Sequence, residues 1–283
     1  MKDNQGLTAT VFDIVRCTFS DGPGIRTAVF FKGCNLRCAW CHNPESQRFE
    51  PELLFYADKC TDCGKCRTVC PHQLASCEFC GACELYCPND ARKVCGKQYT
   101  VEELYAEIEK DKLFYRTSSG GVTFSGGEAM LQLDFLCAIL QKCKENGIST
   151  AIDTAGHLPW ESFEWVMPYT DLFLYDVKAM DSQLHEQYTG VGNEFILDNL
   201  ARLLAAGARV WIRVPIIPSV NDGEENILAL KRWLAEHGTP EKIELLPYHR
   251  MGVRKAAALG RESMVFEVPD AEKMKRLQAL IDA

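Results

Sequence analysis

Cysteine spacing constrains this chain more than any other feature. Fifteen of the 283 residues are cysteine, and eleven of them fall into three regularly spaced groups. Two groups are consecutive copies of C-x2-C-x2-C-x3-C-P, the first being Cys60, Cys63, Cys66 and Cys70 and the second Cys77, Cys80, Cys83 and Cys87. Few large apolar side chains lie between them, so bound metal must supply most of the folding energy of this segment. We therefore expect a small metal-dependent insert over residues 51–95.

Each copy has the spacing of the bacterial ferredoxin run, in which the fourth cysteine ligates the other cluster. The pattern predicts a ferredoxin-like domain with two 4Fe–4S clusters, one on Cys60, Cys63, Cys66 and Cys87 and the other on Cys77, Cys80, Cys83 and Cys70. Zinc is an alternative for one copy but suits two adjacent copies poorly. Cys95 is an alternative ligand, whereas Cys17, Cys137 and Cys143 are expected to be buried as small apolar side chains.

The third group places Cys34, Cys38 and Cys41 at C-x3-C-x2-C. Three thiolates bind only three irons of a 4Fe–4S cluster, which leaves the fourth iron free to bind a small molecule. The alternative is a structural zinc site, with His42 as its fourth ligand.

This third group, with Trp40 just before its last cysteine, resembles the signature of the radical SAM superfamily. Two flanking stretches, SDGPGIRT at 20–27 and CHNPE at 41–45, narrow the resemblance to the glycyl radical enzyme activating enzymes, over nearly the whole chain. The resemblance implies three 4Fe–4S clusters and S-adenosylmethionine on the open iron, with flavodoxin or ferredoxin as electron donor. Reductive cleavage then yields a 5′-deoxyadenosyl radical, which abstracts a hydrogen from a glycine Cα of a partner glycyl radical enzyme. It also implies that the turn at 22–24 shapes the active-site mouth.

Outside the insert, strand-like and helix-like segments alternate, which predicts βαβ units and a parallel sheet. Thr100 and Glu103 predict the capped start of one of the helices. The predicted strands are 26–32, 121–124, 150–154, 172–178, 209–214 and 242–246. Six strands are fewer than the eight of a closed barrel. We therefore predict an α/β fold, a partial (β/α)6 TIM-like barrel over residues 1–50 and 96–283, and the resemblance implies the same.

Polar residues and glycines follow these strands, and the carboxyl ends of parallel barrel strands converge on one face. The resemblance implies that S-adenosylmethionine binds there, beside Trp40, Cys41 and His42, with a monovalent cation near Asp153 and Asp176. The further candidates are Gly126, Gly127, Glu128, Val177, Lys178, Arg213 and His249. Simpler roles stay open: the glycines as a turn, Lys178 or Arg213 as an ion-pair partner, and Trp40 or His249 as core.

Charge and composition exclude some classes of protein. The net charge of −8 argues against non-specific nucleic-acid binding. The first six residues lack a signal-peptide core, and no run approaches the ~20 apolar residues of a membrane helix, so we expect a cytoplasmic protein. Two other functions are open: a radical SAM enzyme acting on a small molecule, and an electron carrier. The electron carrier leaves C-x3-C-x2-C unexplained.

Overall fold

The computed structural model describes residues 6–283 and has an α/β fold built on one eight-stranded sheet. A separate two-stranded sheet lies in the cysteine-rich segment. In the large sheet the strand order is β10-β9-β8-β7-β6-β2-β1-β5, and β3 pairs with β4 in the small one. The strands are β1 (Thr8–Thr18), β2 (Arg26–Phe31), β3 (Glu52–Phe55), β4 (Arg92–Cys95), β5 (Lys97–Thr100), β6 (Gly121–Gly126), β7 (Ser149–Thr154), β8 (Leu172–Asp176), β9 (Val210–Ile216) and β10 (Lys242–Pro247).

The six predicted strands are confirmed as the parallel part of the large sheet, from β2 through β6 to β10. The prediction missed β1 and β5, which add antiparallel at the β2 edge. Since β10 and β5 are the two edges, the sheet is open, which is consistent with the predicted partial barrel.

Eleven helices are described, mostly as crossovers between the parallel strands. They are α1 (Lys65–Val69), α2 (Ala82–Leu85), α3 (Val101–Glu109), α4 (Lys112–Ser118), α5 (Leu133–Glu145), α6 (Trp160–Val166), α7 (Ser182–Thr189), α8 (Glu194–Ala205), α9 (Glu224–His237), α10 (Met251–Ala258) and α11 (Ala271–Asp282). The predicted cap of α3 is confirmed, because the Thr100 side chain accepts from the Glu103 N–H while the Glu103 carboxylate accepts from the Thr100 N–H. No helix within residues 6–283 combines the length and apolarity needed to cross a bilayer.

The sheet has an outer face, where the helices pack to form the main core, and an inner face that carries the polar residues. Paired residues of parallel neighbours point to the same side. Asp176 pairs with Arg213, and Arg213 pairs with Glu244, so these three side chains share the inner face. An apolar layer lies beneath them, made of Ala151, Leu172, Leu174 and Trp211.

The insert folds as two copies of one backbone motif between β3 and β4. Asp62 and Phe79, each two residues after a first cysteine, have φ of 51° and 55°. Gly64 and Gly81 have φ of 71° and 77° and begin α1 and α2. The spacing that repeats in the sequence therefore repeats in the backbone.

One expectation is wrong. Cys17 is exposed rather than buried, because it lies in an irregular part of β1 with φ of 56°; Cys143 is buried and Cys137 partly so, as expected. The turn at 22–24 lies at the amino end of β2, away from the carboxyl ends of the strands. A Cβ on Gly24 would lie only 2.6 Å from the Gly120 nitrogen, so the turn packs tightly there.

Candidate active site

The loop that carries Cys34, Cys38 and Cys41 follows β2 and is fixed by backbone hydrogen bonds to the end of α7. Arg37 N–H donates to the Thr189 carbonyl at 2.7 Å, and Ala39 N–H donates to the Tyr188 carbonyl at 2.8 Å. Within the loop, Leu36 N–H points at the Cys34 sulfur, 3.4 Å away. These backbone hydrogen bonds thus hold the cysteine loop at the carboxyl end of the buried strand β2.

The three thiols lie near one another and are only partly exposed. Burial raises the pKa of Cys34 and Cys41 to about 12 and also raises that of Cys38. For Cys41, the neighbouring Cys38 and Cys34 raise the pKa further. The Lys178 ammonium acts in the opposite direction on all three. Thiolates in this place need added positive charge, and an iron–sulfur cluster supplies it, so the three cysteines fit the group that the sequence predicts.

Gly126 and Gly127 pack against the start of this loop. Gly127 N–H donates to the Phe31 carbonyl at 2.9 Å. A Cβ on Gly126 would lie 2.3 Å from the Phe31 nitrogen, and one on Gly127 would lie 2.2 Å from the Gly33 oxygen. The glycines are therefore required for close packing of β6 on the cysteine loop, whether or not a ligand also approaches them.

Glu128 is fully buried, and its carboxylate already accepts three hydrogen bonds from the protein. Thr154 Oγ1 and Ala155 N–H donate to one oxygen at 2.9 and 3.1 Å, and Met130 N–H donates to the other at 3.3 Å. Burial nevertheless raises the pKa of Glu128 to about 7. This side chain joins the ends of β6 and β7, so its contribution to a bound cofactor would be indirect.

Each candidate carboxylate on the inner face has a cationic partner. Asp153 lies 3.3 Å from Arg213 and accepts from Ser125 Oγ at 2.7 Å. Asp176 lies 2.7 Å from the Lys178 ammonium. Burial opposes the charge of Lys178, but Asp176 and the nearby cysteines outweigh it and raise the pKa of Lys178. The simpler ion-pair roles of Arg213 and Lys178 are thus observed, inside the candidate site.

Trp40, His42 and His249 line the rim of this region. His42 and His249 stack edge to face with ring centroids 4.2 Å apart, and His249 is exposed rather than in the core. Trp40 is half-buried against Tyr188 and Phe266, with ring centroids 6.0 and 6.2 Å away. Val177 has its side chain in the core, so only its backbone faces the strand ends.

The second set of insert cysteines surrounds one cavity. Cys70, Cys77, Cys80 and Cys83, the four predicted ligands of one cluster, line a space of about 70 Å³ together with Leu53, Phe79 and Val94. Cys70 comes from the first copy of the motif and the other three from the second. The four cysteines that the ferredoxin spacing assigns to one cluster therefore line one space, and their ligation of a cluster stays a prediction.

In the first set, one hydrogen bond joins the loop of Cys60 to the loop of Cys87. Asn89, beside Cys87, donates to Thr61, beside Cys60, at 2.9 Å. Backbone N–H groups point at the sulfurs of Cys60, Cys70 and Cys87 at 3.2–3.4 Å, as in sites that stabilise cluster-bound thiolates. Within residues 6–283, no three His, Cys, Asp or Glu side chains are close enough to share a single metal ion. A cluster needs a wider spacing, since each thiolate binds a different iron atom.

Cys95 lies in neither group. It is buried on β4 in a small apolar cluster with Phe12, Leu54 and Ala258. Sequence reasoning also missed Glu244, which faces Arg213 from β10 with 3.5 Å between its carboxylate and Nε. The sequence did contain a signal for Glu244. Strand alternation in KIELL places Glu244 and Leu246 on the same face of the strand.

Comparison with known protein families gives two matches. Residues 67–230 match the radical SAM superfamily, and residues 54–73 match a 4Fe-4S binding domain. The first match covers more than half of the chain and the second lies inside the insert.

Curated relatives match over nearly their whole length. The trans-4-hydroxy-L-proline dehydratase activating enzyme of Clostridioides difficile is 41% identical, over 98% of this chain and 97% of its own. The choline trimethylamine-lyase activating enzyme of Oleidesulfovibrio alaskensis is 44% identical, over 96% of this chain and 94% of its own. Among solved structures, a domain of pyruvate-formate lyase-activating enzyme from Bacteroides vulgatus is 36% identical, with a TM-score of 0.50, over 58% of this chain and 93% of that one.

Proposed function

This chain belongs to the activating enzymes of glycyl radical enzymes, within the radical SAM superfamily, and from that membership we propose how its residues perform the activation. Cys34, Cys38 and Cys41 hold a 4Fe–4S cluster, and S-adenosylmethionine binds at the iron that has no cysteine. The observation that carries this proposal is the grouping of the three partly exposed thiols just after the carboxyl end of β2.

When bound and reduced, the cluster supplies the electron that cleaves S-adenosylmethionine, and the carbon radical so formed takes a hydrogen atom from a glycine Cα of the partner. The chain's own residues bind and orient S-adenosylmethionine. Asp176 and Lys178 hold the ribose and carboxylate. Trp40, Cys41, His42 and His249 line the adenine side, and the backbone of Gly126 and Gly127 follows the methionyl part. In this proposal Arg213 and Lys178, rather than the monovalent cation that the resemblance implies, supply the positive charge beside Asp153 and Asp176.

We assign two more clusters to the insert, residues 51–95. One is held by Cys60, Cys63, Cys66 and Cys87, and the other by Cys77, Cys80, Cys83 and Cys70. The repeated backbone and the cavity lined by four cysteines support this assignment. The insert accepts electrons from flavodoxin or ferredoxin and passes them to the barrel, residues 1–50 and 96–283. Clusters with solvent-facing thiolates also favour the reducing cytoplasm.

The partner is a glycyl radical enzyme, and its glycine loop is the substrate. The relatives at 41–44% identity are named for different partners, a dehydratase and a lyase. Sequence identity at this level does not select one partner. The test therefore uses a panel of glycyl radical enzymes.

The test combines anaerobically reconstituted protein, reductant, S-adenosylmethionine and each member of the panel. We expect 5′-deoxyadenosine and, with the correct partner, the electron paramagnetic resonance signal of a glycyl radical. The triple variant C34A/C38A/C41A should give neither product while it keeps the insert clusters. Cleavage that persists in the triple variant would refute the assigned site. Cleavage with no radical on any partner would favour a small-molecule substrate.

A further inference from the structure

Helix α10 lies directly on the turn that carries the third cysteine of the loop. A Cβ on Gly252, in the first turn of this helix, would lie 2.0 Å from the Cys41 carbonyl oxygen and 3.3 Å from the His42 Cα. These are backbone atoms, which cannot move aside as the end of a side chain can. Gly252 has ordinary helical geometry without positive φ, so its backbone would accept alanine and the constraint is purely one of space.

The residues after Cys41 are held from the same side by charged groups. The Lys255 ammonium donates to the Asn43 side chain at 2.6 Å and lies 2.8 Å from the Glu45 carboxylate. Arg261, just beyond α10, donates to the Pro44 carbonyl at 2.6 Å. The three residues 43–45 therefore each have a contact with α10 or the segment that follows it.

The same helix also contacts the insert. Arg261 forms an ion pair with Glu52 of β3. Glu52 in turn lies 3.2 Å from the fully buried Lys32, whose ammonium donates to the Glu45 carbonyl at 2.6 Å. At the end of α10, Ala258 packs with Leu54 of β3. The helix is thus held between the insert and the cysteine turn, with contacts to both.

We propose that α10 is a brace that fixes the Cys41 turn relative to the insert, and that Gly252 is the positioning residue that lets the helix reach it. The inference rests on the proposed function, because it assumes that Cys41 ligates the first cluster. A methyl group at Gly252 moves the turn away from the helix and with it the Cys41 thiolate. Cys38 stays in place between the two backbone contacts to α7, and Cys34 stays in place because its N–H donates to the Gln47 carbonyl at 3.3 Å. The consequence is selective loss of the first cluster, while the insert clusters remain.

The test compares the iron content and the electron paramagnetic resonance spectra of G252A, wild type and a matched control. The control is G223A, since Gly223 has φ of −74° and nothing within 4 Å of an added Cβ. Wild type and G223A should hold about twelve irons per chain, as three four-iron clusters require. G252A should hold about eight, with an unchanged circular dichroism spectrum and no spectral change when S-adenosylmethionine is added.

Retention of all the irons and of the S-adenosylmethionine-dependent spectrum in G252A would overturn the brace. If wild type itself shows no such spectral change, the proposed function fails instead. If G252A loses every cluster, K255M decides, because it removes the contacts to Asn43 and Glu45 without adding volume at the turn. Partial, selective loss of the first cluster in K255M supports the brace, and a spectrum identical to wild type refutes it.

Discussion

Arg213 and Asp153 form an ion pair of 3.3 Å on the inner face of the sheet. They come from β9 and β7, so the pair spans β8, where Asp176 lies. Burial raises the pKa of the Asp153 carboxyl, and the Arg213 guanidinium acts against that rise. The positive charge beside this partly buried carboxylate is therefore supplied by the chain itself.

The first prediction concerns monovalent ions. Since Arg213 and Lys178 already compensate Asp153 and Asp176, exchanging potassium for choline at constant ionic strength should leave the Michaelis constant for S-adenosylmethionine unchanged. In R213M the Asp153 carboxylate has lost its cationic partner. Replacing potassium by choline should then raise the Michaelis constant for S-adenosylmethionine. A strong dependence on potassium in wild type would mean that an ion shares the site with Arg213.

The second prediction is a double-mutant cycle on stability. Removing one member of a buried ion pair leaves an uncompensated charge or dipole, which costs about 3 kcal/mol. R213M and D153N should each lower the free energy of unfolding by about that amount, and the double variant should lose clearly less than their sum. Urea unfolding under anaerobic conditions measures all four proteins. Simple additivity would contradict a direct interaction.

The third prediction follows from Glu128, whose pKa burial raises to about 7 from an ordinary value of 4.5. Between these two values the folded state keeps a proton that the unfolded state has released. Stability must therefore fall as the pH rises through this window and level off above it. The loss in the free energy of unfolding that Glu128 causes across this window is on the order of 3 kcal/mol.

The matched variant for Glu128 is E128Q, which has nearly the same shape but does not titrate. Its free energy of unfolding should depend less on pH than that of wild type between about pH 5 and about pH 7, and the two curves should run parallel above that range. Equal slopes in both proteins throughout would show that Glu128 titrates normally.

The fourth prediction separates ligand cysteines from packing cysteines. C95A should keep about twelve irons and lose roughly 1 kcal/mol of stability, because Cys95 only packs with Phe12 and Leu54. C87A should lose about four irons, because Cys87 is assigned to a cluster. Iron analysis after identical reconstitution measures both. Loss of iron in C95A would make Cys95 a ligand.

Much of the fold follows from local sequence patterns. The six parallel strands and the capped start of α3 were predicted because buried strands are apolar and caps are local. The strand β1 was missed, since TATVFDIVRCT mixes apolar and charged residues and its partner strands follow later in the chain. Helix α10 was missed because the cysteine turn and the insert that it contacts are distant in sequence.

The site was predictable in its residues but less so in their roles. Spacing alone grouped the cysteines, because ligands to a cluster are close in sequence. The same spacing did not reveal that Gly127 packs on Gly33, or that both oxygens of Glu128 are occupied by protein donors. Such roles depend on which loop packs against the residue, and the tertiary fold decides that.

The central claim is that the cluster on Cys34, Cys38 and Cys41 has an iron that binds S-adenosylmethionine directly. The most direct measurement is electron–nuclear double resonance on the reduced protein with S-adenosylmethionine labelled with ¹⁵N at its amino group. We predict a ¹⁵N coupling to the cluster in wild type and in the insert variant C77A, and none in C34A/C38A/C41A. Absence of the coupling in wild type, with the cluster reduced and the ligand bound, would contradict the account.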